Sequence, residues 1–378
     1  MPTLRPRLDP HESSLRDEGA ADPLLWLIPL LLSGIGIIMI SSSSSPISIA
    51  RFGSPHALGI KQAVWLLIGI GVMLAVHSIP IALWKKGSGV FWLLAVGFCF
   101  LPLFPVTGVS AGGARRWVNL WIVTVQAADI LFFAFTLHAT RKLFEKRERE
   151  TALSAFLKVT LLAGISVLPL LLQPDMGSTI LVFALAMGIY IPLFGWSLPL
   201  FCGGGLFALA SPFIFTHGYR LRRLKAFLDP WQDPLGSGFQ AIQGLVAFSN
   251  GGAWGMGLGQ GLQKLKYLPA SHTDFILAAI GEELGLAGTL SVVLLFAFWF
   301  FRLFTHYRNI EGTFEACLIW GLSLNVFSQM AINMAGVTKL IPLTGMPLPF
   351  LSYGGSSLVM MWMRVGLLLR LSRCRRQA

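Results

Sequence analysis

Charged residues are scarce in this sequence. Only 12% of its 378 residues are Asp, Glu, Lys or Arg, whereas an ordinary soluble domain carries about 25%. Hydrophobic residues account for 54%, and the mean hydropathy is +0.69. This composition excludes an ordinary soluble domain and predicts an integral membrane protein.

Cysteines are few, and several well-known catalytic signatures are missing. The four cysteines have no metal-like spacing; they are Cys99, Cys202, Cys317 and Cys374. Three lie inside apolar runs, which is typical of small core residues rather than of a disulfide or zinc framework. The sequence has no Walker loop, no HExxH motif and no short-period repeat, which disfavours a nucleotide-driven pump.

Acidic residues are outnumbered by basic ones, 17 to 29, which gives a formal charge of +12. Much of the positive charge lies in short loops between apolar runs and in the C-terminal RLSRCRR tail. Short positive loops are retained in the cytoplasm. Membrane topology therefore explains the charge, and we expect no nucleic-acid partner.

Apolar runs recur along the chain and are long enough to cross a hydrocarbon core of about 30 Å. They predict an all-α polytopic membrane protein with about ten transmembrane helices, at 24–40, 61–79, 89–105, 119–138, 157–172, 177–193, 197–215, 275–301, 314–336 and 353–371. Residues 24–371 then form the transmembrane domain, with one large loop at 216–274. A polar tail, 1–23, precedes this domain, and a basic tail, 372–378, follows it.

The placement of lysine and arginine predicts that both termini are cytoplasmic. With the N-terminus inside, the inner loops collect most basic residues, including Lys85, Arg141 and Arg302, and the short outer loops hold few. The 216–274 loop is then extracytoplasmic. Four polar clusters fall on the same outer side: GGARRWVNLW, QPDMGST, the long loop with its exit, and PLTGMPLPFLSYGGSS.

The last cluster, residues 342–357, has no charge, three prolines and three glycines. Irregular backbone at membrane depth is tolerated only where it is buried in protein or lines a cavity. This segment therefore predicts the wall of an outward-facing cavity, where Ser352 and Ser356 could contact a substrate. A tight loop that merely joins the last two spans is the alternative.

The first two clusters carry an arginine pair and two acids. Arg115 and Arg116 favour a phosphate ligand because guanidinium groups bind phosphate oxygens bidentately; interfacial anchoring in an aromatic belt is the alternative. Asp129 lies in the fourth span, where an acid indicates a function or a buried pair with an arginine. Asp175 in QPDMGST is predicted to cap the following helix, in preference to direct chemistry.

The long loop begins with basic residues interleaved with leucines. Arg222 and Arg223 lie within this pattern, which predicts an amphipathic helix on the membrane surface. Such a helix could hold an anionic lipid head group, or it could simply anchor the loop to anionic lipid.

The exit of the long loop places His272 and Asp274 directly before the eighth span. A carboxylate at the water boundary can take a proton from a hydroxyl, and a helix N-cap is the alternative role for Asp274. Glu282 and Glu283 follow about two turns later. Helical geometry favours Glu282 as the one that shares a surface with Asp274.

The ninth span carries three amides spaced by four residues, Asn325, Gln329 and Asn333. One helix face therefore holds all three, which favours interhelical hydrogen bonds over substrate contact. Arg364 in the tenth span needs an acidic partner if it is buried. The candidates at this stage are Glu282, Glu283 and Asp129.

Five motifs in this order resemble the SEDS family of shape, elongation, division and sporulation proteins. They are GARRW, QPDMGST, FLDPWQDPLGSGFQ, GLGQGLQKLKYLPASHTDFILAAIGEELG and PLTGMPLPFLSYGGSS, and they cover the chain from the third span onward. The segment from LVAFSNGG to GEELG is more similar to the division branch of the family than to its elongation branch.

The resemblance implies a ten-span peptidoglycan glycosyltransferase that polymerises lipid II at the outer face of the plasma membrane, at the division septum. Its implied partners are a class B penicillin-binding protein and other cell-division membrane proteins. The essential aspartate of the family falls on Asp274. The resemblance also implies a divalent cation, Mg²⁺ or Mn²⁺, although no metal-ligand spacing in the sequence shows one.

One position departs from the family pattern. Relatives have an acid followed three residues later by lysine, whereas here Asp129 is followed by Phe132. The role of that ion pair in relatives is therefore in doubt here. Its loss could leave Asp129 to pair with Arg364 or with another cation.

The residues and the resemblance together give one hypothesis of mechanism. Asp274 would act as general base toward a sugar 4-hydroxyl, while Arg116, Arg222 and Arg223 hold the lipid pyrophosphate. A flippase for the lipid-linked precursor is the competing class, since charges near the membrane midplane would suit it. A scaffold that only recruits division proteins is a third possibility.

Overall fold

The computed structural model describes residues 16–17, 19–111, 114–121, 123–201, 226–265 and 268–375. Most of this part is helical. The helices are α1 Leu24–Ser43, α2 Ser45–Phe52, α3 Ala57–Ser78, α4 Ile81–Phe98, α5 Ala127–Lys146, α6 Ala152–Leu172, α7 Met176–Phe194, α8 Phe239–Gly251, α9 Ile276–Asn309, α10 Phe314–Val337 and α11 Gly355–Leu371.

Seven of these helices are long and apolar enough to cross a membrane: α1, α3, α4 with the turn that follows it, α6, α7, α9 and α10. Helix α5 packs against α4, α7 and α10, and α11 packs against α3, so both also belong to the bundle. The predicted multi-span helical fold is confirmed. The count of ten stays a prediction, since most of the expected seventh span, 197–215, lies outside the described residues.

Contacts along α1 define two ends of the bundle. At one end, called the terminal end, Asp22 accepts hydrogen bonds from Arg302 on α9 (2.7 Å), and strand β1 Arg16–Asp17 pairs with β5 Cys374–Arg375. At the other end, called the site end, the hydroxyl of Ser271 donates to Ser43 O (3.3 Å). The helices α1 and α9 are therefore antiparallel, and residues 16–17 and 374–375 lie at the terminal end.

The fourth span begins later than predicted. Residues 114–126 form part of a three-stranded antiparallel sheet, with strands β2 Gly108–Ala111, β3 Ala114–Asn119 and β4 Thr124–Gln126. Val118 is fully buried on this sheet, whereas the neighbouring Asn119 is exposed. This alternation suits a half-buried strand, so the predicted helix start at 119 is wrong and α5 begins at Ala127.

Helix α9 is broken inside the GEELG motif. Gly285 has φ 70°, which interrupts the helix near its first quarter. The backbone amides of Met256 and Gly257 donate to the carbonyls of Glu282 and Glu283, each at 3.0 Å. The loop that follows α8 thus supplies hydrogen bonds that the break removes from the helix. The span predicted at 275–301 forms, and it contains a break.

The buried side chains form two large apolar clusters. One joins α1, α3, α9, α10 and α11, and the other joins α4, α5, α6 and α7. Phe132, which stands where the resemblance leads to a lysine, is fully buried in the second cluster. An apolar ring fits this position because lysine would be costly to bury without a partner.

Candidate functional site

The segment 342–357 links α10 to α11 and includes the first three residues of α11; it is irregular up to Gly354 and buried around residues 348–352. Leu348 and Leu351 are at most 1% exposed. On α3, Gln62 donates to Ser352 O (3.1 Å) and accepts from the Gly354 amide (3.2 Å). A side chain of a neighbouring helix therefore satisfies two backbone polar groups of the segment inside the protein, as irregular backbone in a membrane protein requires.

Asp274 lies at the site end, against this segment. Phe275, not Asp274, is the N-cap residue of α9, and no side chain caps that helix. The Asp274 carboxylate faces Gly345, since a Cβ placed on Gly345 would lie 3.4 Å from Oδ2. Gly345 has φ +75°, a conformation that favours glycine and so keeps the backbone close to the carboxylate. The N-cap alternative is thus not realised.

Asn333 on α10 joins Asp274 to the irregular segment. Its side-chain amide donates to Asp274 O (2.9 Å) and to Met346 O (2.7 Å), and the residue is 3% exposed. The sequence interpretation favoured a bond between helices for this amide. The structure shows that it instead binds the backbone at the N-terminal end of α9 and in the 342–357 segment.

The serines predicted to contact substrate hold backbone. Ser352 donates to Thr273 O (2.7 Å) and accepts from the Leu348 amide (2.8 Å). Ser356 accepts from the Gln126 amide (3.3 Å). Both serines are less than 10% exposed, so their described contacts shape the site from within.

His272 stands next to Asp274 in a partly buried position. Its ring is tilted against that of Tyr353, with 5.9 Å between the centroids. Burial, followed by the positive charge of Arg51, lowers the pKa of His272 below its ordinary value. Within the described ranges its Nδ1 atom is buried with no hydrogen-bond partner.

Asp175 caps α7 and also contacts Arg116. Its carboxylate accepts from the Ser178 amide (3.3 Å) and hydroxyl (2.7 Å), as predicted for a cap. Arg116 Nη1 lies 3.6 Å from Asp175 Oδ1, and Nη2 donates to Pro174 O (3.4 Å). The Arg116 guanidinium is thus held at the N-terminus of α7.

The start of α7 touches the same irregular segment as Asp274. A Cβ placed on Gly177 would lie 3.3 Å from the Cβ of Thr344, the residue before Gly345. The N-terminus of α7 and Asp274 therefore both contact residues 344–345 of the segment. Arg115 is exposed on β3, and Arg222 and Arg223 lie outside the described residues.

Arg364 lies beside Asp129, and no other candidate acid contacts it. Arg364 is fully buried and donates to Asp129 O (3.1 Å). Its guanidinium also attracts the Asp129 carboxylate electrostatically. Arg364 on α11 is thus the cation that lies beside the acid after GARRW, and its hydrogen bond goes to the backbone carbonyl of that residue.

Glu282 and Glu283 hold the loop after α8. Glu282 accepts from the Leu262 amide (3.1 Å), and Glu283 accepts from the Gly259 amide (2.9 Å) and forms an ion pair with Lys264 (3.2 Å). Both carboxylates are buried. The loop supplies the donors that a buried carboxylate requires, so both glutamates have structural partners, and the surface shared by Glu282 and Asp274 stays a prediction.

The other two amides of the ninth span serve the bundle. Asn325 donates to the Thr136 hydroxyl on α5 (3.3 Å), and Gln329 donates to Asn325 Oδ1 (2.9 Å). Both are buried. They form the interhelical link that their spacing predicted.

Sequence reasoning missed three residues of this end of the molecule. Gln62 binds the irregular segment, Ser42 donates to Glu283 (2.6 Å), and Lys264 pairs with that glutamate. Gln62 is the most accessible to prediction, because it is an amide inside an apolar run. Among the described residues, no three His, Cys, Asp or Glu side chains gather closely enough to hold a metal ion.

Several known proteins are similar to this chain over most of its length. A probable peptidoglycan glycosyltransferase FtsW from Coxiella burnetii is 36% identical over 361 residues, 92% of this chain and 95% of that protein. One from Thioalkalivibrio sulfidiphilus is 37% identical over 356 residues, 92% of this chain and 88% of the relative.

Solved structures share the fold. One is a chain of a peptidoglycan synthase complex, solved in a study of the structural coordination of polymerization and crosslinking. It has a TM-score of 0.77 and 25% sequence identity, and the match covers 94% of this chain and 98% of that chain. The rod shape determining protein RodA of Thermus thermophilus has a TM-score of 0.70 at 22% identity, covering 95% and 99%. Residues 22–377 match the FtsW, RodA and SpoVE family, described as cell cycle proteins. Because the family match covers nearly the whole chain, this protein belongs to the FtsW/RodA/SpoVE family.

Proposed function

We propose that this protein is a peptidoglycan glycosyltransferase that polymerises lipid II into glycan strands at the outer face of the plasma membrane during cell division. The observation that carries the proposal is the Asp274 carboxylate, directed at Gly345 where α9, α10 and the 342–357 segment meet. Relatives named as glycosyltransferases of the FtsW type support the reaction and favour division over an elongation role.

In the proposed reaction a sugar 4-hydroxyl attacks the anomeric carbon of a second lipid-linked sugar, and the lipid pyrophosphate leaves. Asp274 takes the hydroxyl proton as general base. His272, neutral and next to it, offers a ring nitrogen to a substrate hydroxyl. The leaving pyrophosphate requires positive charge.

We assign the main pyrophosphate contacts to Arg222 and Arg223. Arg116 contacts Asp175, so a pyrophosphate would compete with that carboxylate for its guanidinium. A divalent cation belongs to the proposal on family grounds. Because no three potential metal ligands gather in the described ranges, it would rely on substrate oxygens and at most one or two carboxylates, as Mg²⁺ often does. Bound there, it would neutralise phosphate charge.

The proposed orientation places the site end outside the cell, with both termini cytoplasmic at the septum. Basic side chains at the terminal end support it: Arg141 donates to Lys85 O (2.8 Å) near the start of α4, and Arg302 lies on the last turns of α9. We further propose a class B penicillin-binding protein as the cross-linking partner, together with other division proteins. The synthase-complex study of a related fold supports this choice.

Purified full-length protein in lipid vesicles, supplied with lipid II and its class B partner, tests the function. We expect glycan strands on a gel, formed at a rate that depends on this chain. Movement of labelled lipid II across the vesicle membrane without any glycan would instead establish a flippase. Recruitment of the partner without either activity would establish a scaffold.

A further inference from the structure

A cavity of about 280 Å³ lies between α5 and α6 at the terminal end, away from Asp274. Its volume is close to the lower end of ordinary ligand pockets, about 300 Å³. Three lysines line it, Lys142 and Lys146 on α5 and Lys158 on α6, together with Glu150 between the helices. Apolar side chains form the remaining wall.

Helical spacing explains how the two helices form this cavity. Lys142 and Lys146 are four residues apart, so they lie on one face of α5. On α6, Lys158, Leu161 and Ile165 recur at intervals of three and four residues, so they also share one face. The lysine on α6 is nearer the terminal end, and the apolar residues follow deeper along the same helix.

The cavity carries surplus positive charge. Glu150 forms ion pairs with Lys158 (2.6 Å) and Lys146 (4.0 Å). Lys142 has no carboxylate within ion-pair distance in the described part of the chain, and it is exposed. Three lysines facing one glutamate leave a net positive charge, which an anion would neutralise.

The deeper wall is apolar and open to the surroundings of the bundle. Leu161 is 65% exposed and Ile165 is 42% exposed, on a helix that is long and apolar enough to span a membrane. A soluble anion would contact the lysines and leave these side chains uncovered. A phosphate group attached to an acyl chain would cover both parts of the cavity.

We propose that this cavity binds an anionic phospholipid of the adjoining leaflet, with its phosphate among Lys142, Lys146 and Lys158 and its acyl chain along Leu161 and Ile165. Basic pockets between transmembrane helices recognise anionic head groups by this chemistry. The site is separate from the proposed catalytic centre, so the lipid-binding proposal can be tested independently of the glycosyltransferase activity.

Native mass spectrometry of the full-length protein in a zwitterionic detergent tests the site, with short-chain phosphatidylglycerol as the probe and phosphatidylcholine as the neutral lipid. The variant is Lys142→Gln with Lys146→Gln, which retains the Lys158–Glu150 pair. Its matched control, Lys86→Gln with Arg308→Gln, removes two exposed charges at the same end. Each lysine near anionic lipid contributes a factor of about five.

We expect the variant to bind phosphatidylglycerol about 30-fold more weakly and the control to bind within about twofold of the unaltered protein. Phosphatidylcholine should bind weakly to all three. Equal weakening in variant and control, or no weakening in the variant, would overturn the pocket. Glycerol phosphate binding as tightly as the lipid would show a free-phosphate site and overturn the lipid assignment.

Discussion

The side chain of Asn333 joins two segments that are distant in sequence from each other. One amide group donates to the carbonyls of both Asp274 and Met346. A side-chain amide fixes the position of the carbonyls that it binds in a buried site, because losing the bond would leave a buried carbonyl without a hydrogen-bond donor. At the scale of single residues, we therefore predict that Asn333 positions the proposed base.

Asn333→Ala is expected to lower polymerisation about 100-fold, since small misplacements of a catalytic group cost about that much. Lipid II binding should change far less, because binding does not depend on where the base lies. Asn325→Ala is the matched control on the same helix, and it should lower thermal stability more than activity. Equal activity losses in the two variants would show a general packing effect and contradict the positioning role.

His272 gives a prediction about pH. Its pKa is lowered in the folded protein by burial and by Arg51, so below about pH 6.5 the unfolded chain binds a proton that the folded chain does not. Stability contributed by the neutral ring is therefore present above that pH and is lost as the pH falls through the folded value.

Thermal unfolding measured from pH 7.5 to pH 5 checks this expectation. The melting temperature of the unaltered protein should fall toward acid more steeply than that of His272→Asn. The exposed His56 provides the control, and His56→Asn should retain the full slope. A His272→Asn slope identical to that of the unaltered protein would contradict the assignment.

Among the helices, α9 shows most clearly how one glycine serves the fold. At Gly285 the helix breaks, and the loop after α8 enters the break with its own backbone bonds. The buried Glu282 and Glu283 then bind that loop. The break thus fixes the loop after α8, which leads into His272 and Asp274.

Gly285→Ala is expected to destabilise the protein. A Cβ there would lie 2.6 Å from Ala253 O, and a left-handed backbone costs other residues about 1–2 kcal/mol. Gly71 on α3 has open space around its Cα, so Gly71→Ala should be neutral or slightly stabilising. The melting temperatures of the two variants check this difference in stability. Equal melting temperatures would mean that the glycine at the break does not stabilise the fold.

The elements also show what a sequence can predict. Apolar runs long enough to span a bilayer located α1, α6, α7 and α10 to within a few residues. The strands at 108–126 were missed because a short apolar alternation next to a long helix looks like its continuation. The break at Gly285 depends on hydrogen bonds from a loop about 30 residues earlier in the chain, so no local sequence pattern predicts this break.

At the scale of the whole molecule, the polar motifs meet at one end because antiparallel helices return the chain there repeatedly. The placement of lysine and arginine predicted that these motifs lie on one side. The structure supports this, because their described residues lie at the end opposite the paired strands β1 and β5. The sequence could not predict which side chains of these motifs contact one another. The proximity of Asp274 to Gly345, and the pairing of Arg116 with Asp175, arise from tertiary packing between separate helices.

The polymerisation rate of Asp274→Asn with lipid II and the class B partner tests the central claim most directly. Glu148→Gln, a carboxylate-to-amide change at the exposed terminal end, is the matched control, and thermal unfolding verifies that both variants fold. The account predicts a loss of about 10²–10⁴-fold for Asp274→Asn, with lipid II binding retained and the control unaffected. Normal glycan synthesis by folded Asp274→Asn would contradict it.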